Sequence, residues 1–284
     1  MFETAILVLL YNKEIVESNT VTSLIESDVN YSNTKVVIWN NGPNELKSKD
    51  CANLIALGYS VTIVETINNE SLAVVYNRFL QETEAAKYVL LDDDSALSNE
   101  FINASAASKS CHVSLPIISS EGKVQYPSVD RKRYSSNTKV NANSRVTTIG
   151  SGLVIGQDIA DALKQRYKNV FDERFYLYGV DTTFCLRLSE SDLIKHVQII
   201  SGFDHSLSRL GNESSKMTTF RRVERSYERG LKLRYYVPLP RALFLLLKTG
   251  TSVLQRLCMG KRYQVSFFYV FKAFVLGKHY RDKA

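Results

Sequence analysis

The residues best equipped for chemistry are three consecutive carboxylates, Asp92, Asp93 and Asp94, which end the short apolar run Tyr88-Val89-Leu90-Leu91. A run of that length between polar residues reads as a buried strand. Acids at its C-terminal end then lie at the sheet edge where open α/β folds gather their ligands. Side chains alternate along an extended chain, so Asp92 and Asp94 point one way and Asp93 the other. Two carboxylates on one side make an oxygen site for Mg²⁺ or Mn²⁺, which could clamp a diphosphate. A solvated acidic turn is the plainer reading of the same residues.

The elements around this stretch alternate. Thr4–Leu10, Lys35–Trp39, Ser60–Glu65 and Tyr88–Leu91 read as strands, and helical segments are expected over 14–27, 46–57 and 71–84. Alternation of this kind predicts a parallel sheet built from βαβ units. The polar strand ends Tyr11-Asn12, Asn40-Asn41-Gly42 and Asp92-Asp93-Asp94 then share one edge. No GxGxxG or GxxxxGK[ST] follows a strand, so metal and carboxylates, not a glycine loop, would hold a diphosphate. Residues 119–147 are polar, residues 148–156 (TIGSGLVIG) are expected as a further strand, and Lys195–Ile200 as the last.

At 284 residues the chain can bury one large core, alone or with an appendage. Cys51, Cys111, Cys185 and Cys258 form no CxxC pair, which fits a reducing compartment rather than a disulfide framework. The opening MFETAILVLLYN lacks a basic region and a cleavage site and reads as the first strand, not as a signal peptide. No stretch reaches the ~18 uninterrupted apolar residues of a spanning helix. The net charge of +7 is uneven: residues 216–284 carry +13 and the first 215 carry −6. A basic tail on an acidic body predicts a second partner, an anionic membrane surface or nucleic acid.

Taken together, the motifs resemble the family 2 glycosyltransferases, over residues 4 to about 210 and in the family's order. Leu7–Asn12 is similar to the opening strand that leads to the nucleotide base, and Asn41-Gly42 to the D-N-G/S turn after the second strand. Asn69, Ala73 and Asn77 match the NxGxAxxxN helix start, with Ser71 in place of its glycine. Asp92–Asp94 matches DxD. The stretch FDERFYLYGVDTTFCLRL resembles the segment that carries the catalytic base, with Asp181 at the base position and Val180 where the usual form has glutamate. A valine there, followed by Cys185-Leu186-Arg187, is similar to the rhamnosyltransferase-like subgroup.

The resemblance implies a GT-A fold, a Rossmann-like, mostly parallel mixed sheet flanked by helices, over 1–212, and a basic amphipathic helical region over 213–284. It implies an inverting transfer of one sugar from dTDP-rhamnose or a UDP-sugar, with Asp181 as general base. The aromatic turn Phe175–Tyr178 would desolvate Asp181 and raise its proton affinity; capping the helix that begins near Thr182 is its structural alternative. Asp94 would bind Mn²⁺ or Mg²⁺ directly, and Asp92 the ribose or the metal. His205 would complete the site, unless it is a structural histidine. Tyr11, Asn12, Asn41, Asn77 and Asp93 are the expected nucleotide-pocket residues. Arg187 is expected to pair on its own helix, and Tyr176 and Tyr178 to form an acceptor platform or core packing.

The tail mixes cations with apolar faces at Leu243–Leu247 and Phe267–Leu276. This suits helices in a membrane interface, or else a hairpin packed on the body or on a second copy of the chain. No nucleic-acid-binding signature is present, which leaves nucleic acid out of the expected partners. A polyprenyl diphosphate-linked glycan acceptor in O-antigen or capsule synthesis would place the protein in the cytoplasm, peripheral to the inner membrane face. QxxRW is absent, which favours single-sugar addition. The competing classes are a nucleotidyltransferase, which lacks its glycine-rich basic loop here, and a catalytically inactive scaffold subunit at the membrane.

Overall fold

The computed structural model describes residues 1–29, 33–205, 215–260 and 264–282. The first half holds β1 (Thr4–Leu10), α1 (Asn19–Glu26), β2 (Thr34–Asn40), α2 (Ala52–Ala56), β3 (Ser60–Glu65), α3 (Leu72–Glu82), β4 (Lys87–Asp92), β5 (Ser95–Ala96) and α4 (Asn99–Ala106). Next come β6 (Val113–Ser120), β7 (Lys123–Tyr126), β8 (Ser128–Val129), β9 (Lys132–Arg133), β10 (Val146–Thr147), β11 (Val154–Gly156), α5 (Gln157–Tyr167), α6 (Val180–Glu190) and β12 (Val197–His205). Three helices close the chain: α7 (Ser215–Tyr236), α8 (Leu239–Cys258) and α9 (Phe267–Leu276).

Strands β1 to β4 are parallel in the order β3-β2-β1-β4, as their alternation with helices predicts. Every residue of β1 is buried because both sheet faces are covered. Its alternate residues divide between two cores: Leu7 and Leu9 on one face, Ile6, Val8 and Leu10 on the other. Beyond β4 the sheet becomes mixed. Strand β11 runs antiparallel between β4 and β6, and β12 lies parallel to β6. The tip of β12 then pairs antiparallel with β5, setting His205 opposite Ser95. Strands β10, β8 and β9 form a separate small sheet.

The helix expected over 14–27 is split at Ser18 into a 3-10 turn (Ile15–Glu17) and α1, and two further elements are shorter than the sequence suggests. Of 46–57 only α2 is helical, because Lys47-Ser48-Lys49-Asp50 offers no apolar stripe to bury. Of 148–156 only β11 is extended, since Gly152 takes a left-handed φ of +83° and turns the chain. A Cβ at Gly152 would strike Pro116 and the Phe203 ring, so only glycine fits there. The turn still docks on β4, through the Gly152 N–H to Leu90 carbonyl bond of 2.6 Å.

Tyr227 and Leu231 of α7, with Ala273 of α9, join the main core, while Leu233, Ala242, Leu246, Val265 and Val270 form a smaller one under α8. Helices α7 and α9 cross at Gly230, where any side chain would meet the Val270 carbonyl and Ala273. The expected boundary at residues 212 and 213 lies outside the described residues. Among the described residues, no helix is long and apolar enough to cross a membrane.

Candidate active site

Asp92, Asp94 and His205 each offer one ligand atom, all within 4.8 Å of one another. The strand ends make this happen. Asp92 closes β4, and the β5–β12 pairing carries His205 back over the acids. His205 Nδ1 lies 3.4 Å from Asp94 Oδ1, and Nε2 lies 3.9 Å from Asp92 Oδ2. The Ser95 hydroxyl stands 3.3 Å from His205 Nδ1 and 2.8 Å from the Ser151 hydroxyl, which orients the ring. The Thr20 hydroxyl donates to the Asp92 carbonyl at 2.5 Å and the Ser151 hydroxyl accepts the Asp92 N–H at 3.1 Å, so the strand end is fixed from both sides.

Burial, then repulsion from Asp94, Asp93 and Asp181, pushes the Asp92 carboxyl up to about 7. Burial also raises Asp94, against the pull of His205, and lowers His205, against the pull of Asp94. A neutral imidazole beside two crowded carboxylates is a donor set short of positive charge, and it fits a hard divalent cation. Asp93 lies with Asp94 in the turn after β4, not on the strand, and its carboxylate engages other partners. It accepts the Tyr11 N–H at 3.3 Å and pairs with Lys13 Nζ at 2.6 Å.

Asp181 sits in the first turn of α6. It is not the N-cap, which is Gly179 at φ +91°. Its Oδ1 accepts the Thr182 N–H at 3.0 Å. Burial raises its pKa to about 6, opposed by the amides of Thr182, Asp181 and Gly150 and reinforced by the charge of Glu228. Tyr76, on α3, ties this group to the triad. The residue is only 4% exposed, and its phenol is held well above its ordinary pKa by burial and by the charges of Asp92 and Asp181. The same hydroxyl touches Gly150 so closely that a Cβ there would lie 3.0 Å from it. The candidate cation-binding cluster and the Asp181 carboxylate thus both bear on a single buried phenol.

No family model matches the chain. The dTDP-rhamnosyl transferase RfbF of Shigella flexneri is 24% identical over 208 residues, 67% of this chain and 64% of the relative. The chain thus spans a little under two thirds of that curated relative's length. Among solved structures, GalNAc-T7 with UDP, GalNAc and Mn²⁺ superposes with a TM-score of 0.51 at 13% identity, over 82% of this chain and 51% of that one. The fold is GT-A. TarS residues 1–349 of S. aureus, in complex with UDP, also aligns, at 15% identity over 82% of this chain and 66% of its own, with a TM-score of 0.47. The resemblance drawn from the motifs agrees with the RfbF relative and with the fold shared with GalNAc-T7.

On this GT-A sheet Tyr11 and Asn12 end β1 beside the triad, with the Tyr11 ring exposed and Asn12 in a left-handed turn at φ +55°. Two other expected pocket residues are spent on the protein. Asn77 is buried, accepts the Phe171 N–H and donates to the Phe171 carbonyl and the Glu173 carboxylate, all at 2.9 Å. Asn41 bonds the Thr66 hydroxyl and both backbone groups of Glu70. Each fixes a loop instead of offering its amide to a nucleotide. Arg187 does not pair along its helix. It is 5% exposed, binds the Asn169 and Val170 carbonyls at 2.8 and 3.1 Å, and faces Asp172 at 3.5 Å. Nor is Tyr176 a free platform, since its ring stacks on His279 at 4.4 Å and its hydroxyl donates to Asp282 at 2.8 Å. Tyr178 is half-buried with Arg225 over its ring at 5.0 Å.

Sequence reading missed Lys13, Tyr76, Ser95 and Glu228. Lys13 and Tyr76 adjoin matched motifs and could have been found there. Ser95 and Glu228 take their meaning from β12 and α7, far away in the chain.

Proposed function

We propose that this chain is an inverting glycosyltransferase. It would take a nucleotide-sugar donor, dTDP-rhamnose or a UDP-sugar, and move one sugar to a polyprenyl diphosphate-linked glycan acceptor. The Shigella relative's name supports the reaction class, and the GalNAc-T7 complex supports a metal-assisted donor site on this fold. The observation that carries the reading is the cluster of Asp92, Asp94 and His205, with the buried Tyr76 phenol under the charge of both Asp92 and Asp181.

The acceptor hydroxyl oxygen bonds to the anomeric carbon as the bond from that carbon to the diphosphate oxygen breaks, with the electron pair leaving on the diphosphate. Asp181 takes the hydroxyl proton. Near pH 7 it is largely ionised, yet basic enough to pull. Mn²⁺ or Mg²⁺ held by Asp92, Asp94 and His205 would supply Lewis acidity to the leaving group. Lys13, paired with Asp93 beside the triad, places a further cation there.

Helices α8 and α9 support a peripheral position on an anionic bilayer. Leu243, Phe244, Leu247, Phe268, Phe271 and Leu276 are exposed, and Arg241, Lys248 and Lys272 are exposed among them. Apolar side chains for the acyl boundary and cations for headgroups are the two ingredients of interfacial binding. At the cytoplasmic face this would bring Asp181 to a lipid-linked acceptor of O-antigen or capsule type.

Calorimetry with a panel of nucleotide sugars, with Mn²⁺ or with EDTA, tests the donor end. One donor that binds only with metal is the expected result, and no binding to any donor removes the reading. Cosedimentation with phosphatidylglycerol vesicles tests the helices. Phe244→Glu with Leu247→Glu should abolish it, and wild-type protein that stays in the supernatant removes the membrane part.

A further inference from the structure

The resemblance expects glutamate before the base, and this chain has valine. The structure removes position 180 from the chemistry altogether, because Val180 is 2% exposed and packs in the main core. A carboxylate nevertheless packs against the start of the helix that carries Asp181. Glu228 of α7 lies on Gly179, so closely that a Cβ on that glycine would meet Glu228 Cγ. Gly179 caps α6, and Asp181 is two residues on. The Glu228 side chain is only 16% exposed, and its Oε1 is bonded to Lys232 one turn along the same helix. The placement is rigid: α7 is anchored in the core by Tyr227 and Leu231 on either side of Glu228.

We infer that Glu228 is the second carboxylate of the acceptor site, a positioning residue that acts through Asp181 and is itself metered by Lys232. This rests on Asp181 being the base. The physical argument is a short one. A negative charge packed beside a half-buried carboxylate disfavours its ionised form, and a neighbouring ammonium partly cancels that charge. Four other titratable groups face Asp181: Tyr76 from α3, Asp92 from the end of β4, Cys185 one turn along α6, and Lys232 behind Glu228. Of these only Lys232 acts through Glu228, so the pair makes opposite predictions. Removing Glu228's charge lets Asp181 lose its proton at lower pH. Removing Lys232 leaves Glu228 uncompensated and moves the proton loss to higher pH.

The test is carboxyl NMR on the full chain, labelled with ¹³Cγ-aspartate and free of metal, between pH 4 and 8. The Asp181 signal is identified by its loss in Asp181→Asn. Glu228→Gln should lower the midpoint by about half a pH unit, Lys232→Met should raise it by a smaller amount, and Glu228→Asp should stay near wild type. Where Glu228→Gln fails to fold, the sign of the Lys232→Met shift alone decides. Unchanged midpoints, or shifts of one sign in both variants, overturn the inference. The titration needs no substrate. Loss of the glycosyltransfer reading would show as no donor turnover by wild type, a separate result.

Discussion

Asp92 and Asp181 are both carboxylates that hold their protons more tightly than usual, but their surroundings differ in kind. Asp92 owes its shift to burial among other acids, Asp94, Asp93 and Asp181. Asp181 owes its shift mainly to burial, with backbone amides pulling the other way. The first is a carboxyl crowded by like charge, and the second is a carboxyl kept partly dry. Their construction differs as well. The triad hangs on strand ends, with short bonds from Thr20, Ser95 and Ser151. The loop before Asp181 is pinned from four separate places: Asn77 of α3, Arg187 of α6, Tyr236 of α7 and Asp282 beyond α9. The contrast implies that metal binding and proton transfer can be damaged independently.

The sharpest way to break that comparison is Asp181→Asn. Turnover should fall roughly 10³-fold, the usual reach of a general base, while calorimetric donor affinity stays at wild type. Equal loss of both would join the two ends into one unit. Asp172→Asn comes next. It strips Arg187 and Arg174 of their carboxylate and should cost about 3 kcal/mol in urea unfolding, as breaking a buried pair does. The Asp172 carboxyl is depressed: burial opposes ionisation, but bonds from Arg174 and Tyr236 outweigh it. A depressed carboxylate stabilises the fold above its unfolded pKa of about 4, and that stability is lost as pH falls through the folded value. The gap between wild type and variant should therefore close in acid. On the proposed reading, His205→Ala should weaken Mn²⁺ binding by roughly 30-fold on calorimetry. Smallest is the pH profile. Below about 6, kcat/KM should fall as Asp181 protonates, about tenfold per pH unit at the limit. A profile flat to pH 5 would take the base role from Asp181.

The four parallel strands and the acids at their edge were legible because hydrophobic runs and polar ends lie side by side in the chain. Asp92 and Asp94 stand out by type and spacing, whereas Asp181 is named through the family resemblance. Asn41 and Asn77 are hydrogen-bonded within the protein, which an asparagine's type alone does not reveal. Arg187 looked like a surface helix cation, since its partners Asn169, Val170 and Asp172 sit in a loop that gives no periodic signal. Glu228 was hidden for a different reason: a helix read as part of a membrane tail packs one carboxylate side chain against Gly179, the cap of the helix that carries Asp181.

The pairing of Ser95 with His205 also sets a timetable. The two residues are 110 positions apart in the chain. During synthesis the acids leave the ribosome roughly 5–20 s before the histidine, at rates of about 5–20 residues/s. In that interval the three adjacent carboxylates lack the His205 ring, and Lys13, made earlier still, is the partner of one of them, Asp93. A nascent chain arrested before β12 should bind Mn²⁺ weakly, and one arrested well after it should bind like the finished protein. The triad thus reports, late in translation, that the sheet has been closed.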